Sequence, residues 1–238
     1  MKTVGIIQAR MGSERLPGKV LLELCGKSVL EHLVERLSYA KRIDRLVVAT
    51  TTNPLDDALV EAMKRIGQPV FRGSENDVLE RFYMAAQQTP GDIILRFTAD
   101  NPLIDPALVD DAIECFRPDY LRFGLGRPLG TVLELFTIQA LNEAQRLATS
   151  AEHREHVTPF LYKNPQYFAC FEHRTKENHE NLRWTIDTSE DYELVKEIYQ
   201  MLYPDNPRFS FADILNAYEN NPHWNNLNTH VVQRKLEE

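Results

Sequence analysis

The run TVGIIQARMGSERLPGK at residues 3–19 joins a β-branched apolar stretch to a loop built of glycine, proline and basic residues. A buried strand ending in such a loop opens a βα unit, and open α/β sheets bind ligands at the carboxyl ends of their strands. The pattern recurs downstream. RLVVATT (45–51), PVF (69–71) and DIILRFTAD (92–100) read as further strands, and apolar residues between them repeat at helical spacing. Ser28 and Glu31 form a capping box before Val29, Leu30, Leu33, Val34 and Leu37. Asn53 and Pro54 open a second helix with Leu55, Leu59, Met63 and Ile66 on its inner face. After GSEND (73–77) a third helix turns in Val78, Leu79, Phe82 and Ala86; Asp105 and Pro106 open a fourth with Leu108, Val109, Ala112, Ile113 and Phe116 inward. The expected fold is α/β, a mainly parallel Rossmann-like sheet with helices on both faces.

From 119 to 183 the pattern changes to DYLRF, a GLGRPLG loop, VLELFT, two helical stretches and YFACFEH, read as an inserted α+β subdomain within a single domain spanning 1–238. LRWTID (182–187) reads as a returning strand. A helix starting at Ser189 carries Tyr192, Val195, Ile198, Tyr199 and Leu202, and a shorter one is capped by Ser210. The Asn-rich tail at 220–238 is expected to be extended, packing on a neighbour or fraying.

At 238 residues and 43% hydrophobic composition, the chain can bury one substantial core. Its three cysteines are odd in number and lack metal spacing, which fits a reducing cytoplasm and neither a disulfide framework nor a zinc site. No stretch approaches the length that spans a bilayer, so no membrane partner is expected. A net charge of -8 argues against nucleic acid as a partner. Against that acidic background Arg10, Arg15 and Lys19 cluster in the first loop, which points to a small anionic substrate.

Gly12 and Gly18 let that loop's backbone approach a phosphate, Ser13 adds a loop amide, and the three cations supply charge-assisted donors. It is not a Walker A loop, because Gly12 to Gly18 is one residue too long and Val20 stands where a Ser or Thr must hold magnesium. RFTADNPLID carries Thr98 and Asp100 to the carboxyl end of a strand, where a carboxylate can hold Mg2+ against phosphates or simply cap a turn. RWTIDTSEDY places Asp187 just ahead of Thr188 and Ser189, which can cap the next helix and leave Asp187 available. Two such carboxylates converging on one phosphate site would clamp an in-line displacement.

QARMGSERLPGK, FRGSENDVLERF, RFTADNP, REHVTPF and RWTIDTSEDY, in that order over nearly the whole chain, resemble the cytidylyltransferase family of spore-coat polysaccharide biosynthesis proteins. That family is similar to CMP-sialic acid and CMP-Kdo synthetases. The resemblance implies a nucleotidyltransferase fold, CTP as donor, a sugar or sugar acid as acceptor, Mg2+ as cofactor, pyrophosphate as second product, and a homodimer. It makes Arg10, Arg15 and Lys19 triphosphate ligands, with Gly12, Ser13 and Thr98 beside them; Arg15, Lys19 and Asp187 are the catalytic candidates. Asp100 and Asp187 become the metal ligands. Arg72, Ser74 and Asp77 become contacts of cytosine and ribose, while Arg81 is divided between that role and a local ion pair with Asp77. On the acceptor side it points to Glu134, His156 and Arg183. GTVLELF departs from the family pattern at Val132, where relatives commonly carry an aspartate. Two alternatives stand beside this reading: a glycosyltransferase consuming a nucleotide sugar, disfavoured by a loop suited to a free triphosphate, and a non-catalytic nucleotide-binding protein of the same fold.

Overall fold

The computed structural model describes residues 1–233. Its elements run β1 (Thr3–Gln8), a hairpin of β2 (Glu23–Leu24) and β3 (Lys27–Ser28), α1 (Val29–Ser38), β4 (Arg45–Thr51), α2 (Asp57–Arg65), β5 (Val70–Gly73), α3 (Val78–Gln88), β6 (Ile93–Thr98) and α4 (Pro106–Cys115). Then follow β7 (Tyr120–Leu125), β8 (Leu133–Thr137), α5 (Ile138–Leu147), α6 (Ala151–His156), α7 (Pro159–Tyr162), β9 (Cys170–Arg174), α8 (Ser189–Leu202), α9 (Phe211–Asn220) and α10 (Trp224–Leu227). A seven-stranded sheet has the order β5-β4-β1-β6-β8-β7-β9. β5, β4, β1 and β6 are parallel, and β8 pairs antiparallel with both β6 and β7.

Alternation along the strands divides the core between the two faces. Ile7, Val48, Leu95 and Phe97 pack under α1, α2 and α4, whereas Val4, Ile6, Val47 and Ile94 pack under α3 and α5. A third cluster holds α8, α9 and α10 around Trp184 and Ile186. The capping box of Ser28 with Glu31 is present, and the expected inward residues of α3 are all buried.

The strands within 119–183 join the main sheet as β8, β7 and β9. Several other expectations need correction. Leu55 and Ile66 are 66% and 46% exposed. The chain enters α2 through a 3-10 turn at Pro54–Asp56 that turns Asp56 inward in place of Leu55, and Ile66 falls past the last helical residue. LRWTID forms no strand: its only ladder contact is a bridge between Leu129 and Arg183, and its apolar residues pack into the α8–α9 layer. The tail is not simply extended: it forms α10, with Trp224 buried against Tyr218; residues 234–238 lie outside the described residues.

Between α6 and α7 the chain turns on Val157, with φ 70° and ψ -63°, closed by the Thr158 N–H on the His156 carbonyl at 2.8 Å. This is a γ-turn around a β-branched residue, a backbone state such residues rarely adopt.

Candidate active site

The first loop leaves β1 at Gln8 and is tied down by its own backbone, since the Met11 carbonyl accepts from Ser13 and Gly18 N–H at 2.9 and 3.0 Å. Gly18 has φ 71°, which suits glycine and turns the chain into the short helical turn that begins with Lys19. The loop's outer anchor is Asp56. Its buried carboxylate accepts from the Met11 N–H, the Thr50 and Thr51 hydroxyls and the Thr51 N–H. Burial alone would raise the Asp56 pKa; these hydrogen bonds outweigh it and hold the group below the usual carboxylate range.

Lys19 Nζ sits where three chain segments converge. It donates to Asp100 Oδ2 at 2.8 Å, Asp187 Oδ1 at 2.9 Å and the Ile186 carbonyl at 2.7 Å. Burial works to lower its pKa, but the two carboxylates prevail and raise it. The other Asp187 oxygen takes Arg15 Nη2 at 2.9 Å and Arg183 Nη2 at 2.8 Å. Burial opposes ionisation of Asp187, and Lys19, Arg15 and Arg183 overcome it to depress its pKa. Arg183 in turn is locked to Asp191, which is fully buried and completes the capping box of α8 with Thr188.

Around this knot lie two adjoining cavities. One, of about 300 Å³, is lined by Arg10, Ser13, Arg15, Lys19, Thr98, Asp100 and Asp187. A second, of about 770 Å³, shares Arg15, Thr98, Asp100 and Asp187 with it and adds Arg96, Asn101 and His156. A third, of about 500 Å³, continues past Arg96 and His156 to Glu134 and Tyr162. Cations and carboxylates thus meet at the junction of a phosphate-sized space and a larger one. Two hard oxygen donors within reach of one point suit Mg2+, which takes one or two carboxylates and fills its shell with phosphate oxygens and water. Among the described residues there is no cluster of three or more His, Cys, Asp or Glu able to hold a metal unaided.

The other expected site residues are placed differently. Gly12 does not line the phosphate-sized cavity. Arg72 is spent on Asp57 and on the carbonyls of Thr51 and Asn53, bracing β4 against β5. The Ser74 hydroxyl accepts from the Asp77 N–H, and the Asp77 carboxylate caps α3 and pairs with Arg154, so the expected Asp77–Arg81 ion pair does not form. Arg81 instead lies buried with Nη1 on the Ser74 carbonyl; burial, with Arg10 nearby, pushes its pKa down to about 10. Glu134 reaches the third cavity, but its oxygens accept from Arg96, Tyr120 and Thr158. Arg183 borders none of the three cavities and acts on Asp187.

Sequence reasoning missed Asp56, Arg154, Asp191 and Glu155, the last of which lines both the first and second cavities from α6. Asp191 had a signal in the T-x-x-D spacing of TSED; Asp56 carries no comparable local signal.

Sheet order, basic loop and paired carboxylates together define a nucleotidyltransferase. Comparison narrows the class: the family model described as Cytidylyltransferase matches residues 4–209, and the chain belongs to the cytidylyltransferase family. It is 40% identical over 242 residues to an uncharacterized protein of Methanocaldococcus jannaschii, covering 100% of this chain and 99% of that one. It is 37% identical to the spore coat polysaccharide biosynthesis protein SpsF of Bacillus subtilis, over 91% of this chain and 94% of SpsF. A 3-deoxy-manno-octulosonate cytidylyltransferase of Trichlorobacter lovleyi is 35% identical over 117 residues, 49% of this chain and 45% of that one. The solved structure of a cytidylyltransferase from Leptospira borgpetersenii superposes with a TM-score of 0.89 at 34% identity, covering 99% of this chain and 100% of that one. The glycosyltransferase alternative is set aside by this membership.

Proposed function

We propose that the protein transfers CMP from CTP to a sugar acid, releases pyrophosphate, and serves surface polysaccharide synthesis as a cytoplasmic, Mg2+-dependent homodimer. The observation that carries this reading is the convergence of Lys19, Arg15, Asp100 and Asp187 where a phosphate-sized cavity opens into a larger one. The names of the SpsF and octulosonate relatives point the same way. No helix among the described residues is long and apolar enough to cross a membrane, and all three cysteines are unpaired.

The triphosphate enters the smaller cavity, where Arg10, Arg15 and Lys19 exchange carboxylate and water contacts for phosphate oxygens. Asp100 and Asp187 would hold Mg2+, which would supply positive charge to the phosphates when bound. An acceptor oxygen in the larger cavity attacks the α-phosphorus as the bond to the bridging oxygen of pyrophosphate breaks. Arg15 and Lys19 neutralise the charge that grows on the leaving group, so positioning and electrostatics supply most of the rate. Arg96 and His156 border the acceptor space and suit an anionic sugar.

The test is pyrophosphate release with CTP, UTP, ATP or GTP and Mg2+ against nonulosonic acids, octulosonic acids and sugar phosphates, with Asp100→Ala as control. CTP-specific release with a sugar acid, lost in the variant, is expected. Release that is indifferent to the nucleobase, or that survives Asp100→Ala, contradicts the assignment.

A further inference from the structure

The family match ends at residue 209, yet the chain beyond it returns to the active site. Trp224 anchors this segment: it is buried against Tyr218, and its indole N–H donates to Glu197 at 2.6 Å. Four residues on, Asn228 is 3% exposed and spends its side-chain amide on two acceptors, the Arg183 carbonyl and Asp191 Oδ1, both at 2.9 Å. Asp191 accepts from the Asp187 N–H at 2.9 Å and from Arg183 Nε at 2.7 Å, and Arg183 Nη2 reaches the Asp187 carboxylate. The remaining guanidinium nitrogen, Nη1, donates to Gln233 Oε1 at 2.5 Å. Gln233 also lines the second and third cavities and does not line the phosphate-sized one.

Resting on the functional reading above, we infer that the C-terminal segment is a working part of the active site. Asn228 is a positioning residue that fixes Asp187 through Asp191 and Arg183, and Gln233 is a specificity-determining wall of the acceptor cavity. The physical case is one of satisfaction. A buried ion pair holds its geometry only while its remaining donors and acceptors are met, and the tail supplies one donor to Asp191 and one acceptor to Arg183. Outer partners of a metal carboxylate tune the site even though they never touch the substrate.

The full chain is compared with Asn228→Ala and Gln233→Ala. Gln233 is exposed, so its variant keeps the fold. Gln233→Ala is expected to raise the KM for the acceptor roughly 10-fold while the KM for CTP stays put, and Asn228→Ala to lower kcat roughly 10-fold or more. Hydrogen exchange supplies a reading independent of turnover: the amides of Asp187 and Thr188 exchange faster in Asn228→Ala than in the parent. An acceptor KM that does not move in Gln233→Ala, or that moves together with the CTP KM, overturns the specificity role. Unchanged protection at Asp187 and Thr188 overturns the positioning role. Should the parent release no pyrophosphate with any acceptor, the functional reading fails by itself, and the exchange comparison still decides whether the tail holds Asp187.

Discussion

Met11 donates its backbone N–H to Asp56 Oδ1 at 2.8 Å, across 45 positions of sequence. This bond pins the basic loop after β1 to the end of β4, and the three further bonds from Thr50 and Thr51 leave the Asp56 carboxylate no freedom to follow a moving loop. Asp56→Ala strands several buried donors and is expected to cost about 3–5 kcal/mol. Asp56→Asn, which keeps an acceptor, should fold and bind CTP more weakly. Urea unfolding and CTP titration check both; an Asp56→Ala protein as stable as the parent would remove the anchor role.

Lys19 bridges two carboxylates that would otherwise repel each other. Lys19→Met is expected to lower the rate of pyrophosphate release by roughly 10²–10³, the range for losing one preorganised donor to a transition-state anion. It should also make stability respond to metal. Added Mg2+ relieves the Asp100–Asp187 repulsion in the variant, so calorimetry without nucleotide should show a larger rise in Tm for Lys19→Met than for the parent. Equal shifts would mean that the ammonium and the metal do not share a place.

Glu134 gives the chain an acid-sensitive joint. Burial favours its neutral form, but Arg96, with the Tyr120 and Thr158 hydroxyls, wins and holds the carboxyl below its usual range. A folded pKa below the unfolded one stabilises the protein fully above the ordinary carboxylate value of about 4.3, and that contribution disappears as the pH falls through the folded value. Urea midpoints should therefore drop steeply toward acid in the parent. Glu134→Gln should start lower at neutral pH and show a shallower acid limb.

Arg154 fastens α6 to the start of α3 through Asp77, 77 residues earlier in the chain. The pair is half-buried and charged, so Arg154→Ala is expected to cost about 1.5–3 kcal/mol. Because α6 carries Glu155 and His156, the variant should also weaken acceptor binding more than CTP binding. A double-mutant cycle with Asp77→Ala separates the pair's own coupling from general loosening of the helix.

The parallel half of the sheet was legible because period-2 burial and helical spacing are local signals, and the helix faces of α1, α3 and α4 emerge almost residue for residue. Of the candidate site, Asp100 lies just past a strand that the pattern marks, whereas Lys19 begins a short turn and Asp187 follows a segment that forms no strand. Lys19, Asp100 and Asp187 meet although 168 positions separate the first from the last. What escaped depends on partners that no local rule can name. Arg72 reads as a ligand because it is a cation in a glycine-serine turn, but its reach to Asp57 exists only once β4 and β5 are paired. LRWTID has the apolar alternation of a strand, but its backbone pairing stops at a single bridge to Leu129, and Trp184 and Ile186 pack beneath helices. Arg183 could be read as a cation near the chemistry, but it turns to Asp187 and Asp191 rather than to a cavity, and two of its outer partners, Asn228 and Gln233, lie about 45 to 50 positions later in the chain.

The γ-turn at Val157 sits between His156 and Thr158, two residues that border the third cavity. A β-branched residue held there stores about 1–3 kcal/mol, and packing on all sides keeps it in place. Because the buried surroundings of Val157 hold that turn, the corner between His156 and Thr158 gives the third cavity an edge whose shape is fixed by packing rather than by the local preference of the chain.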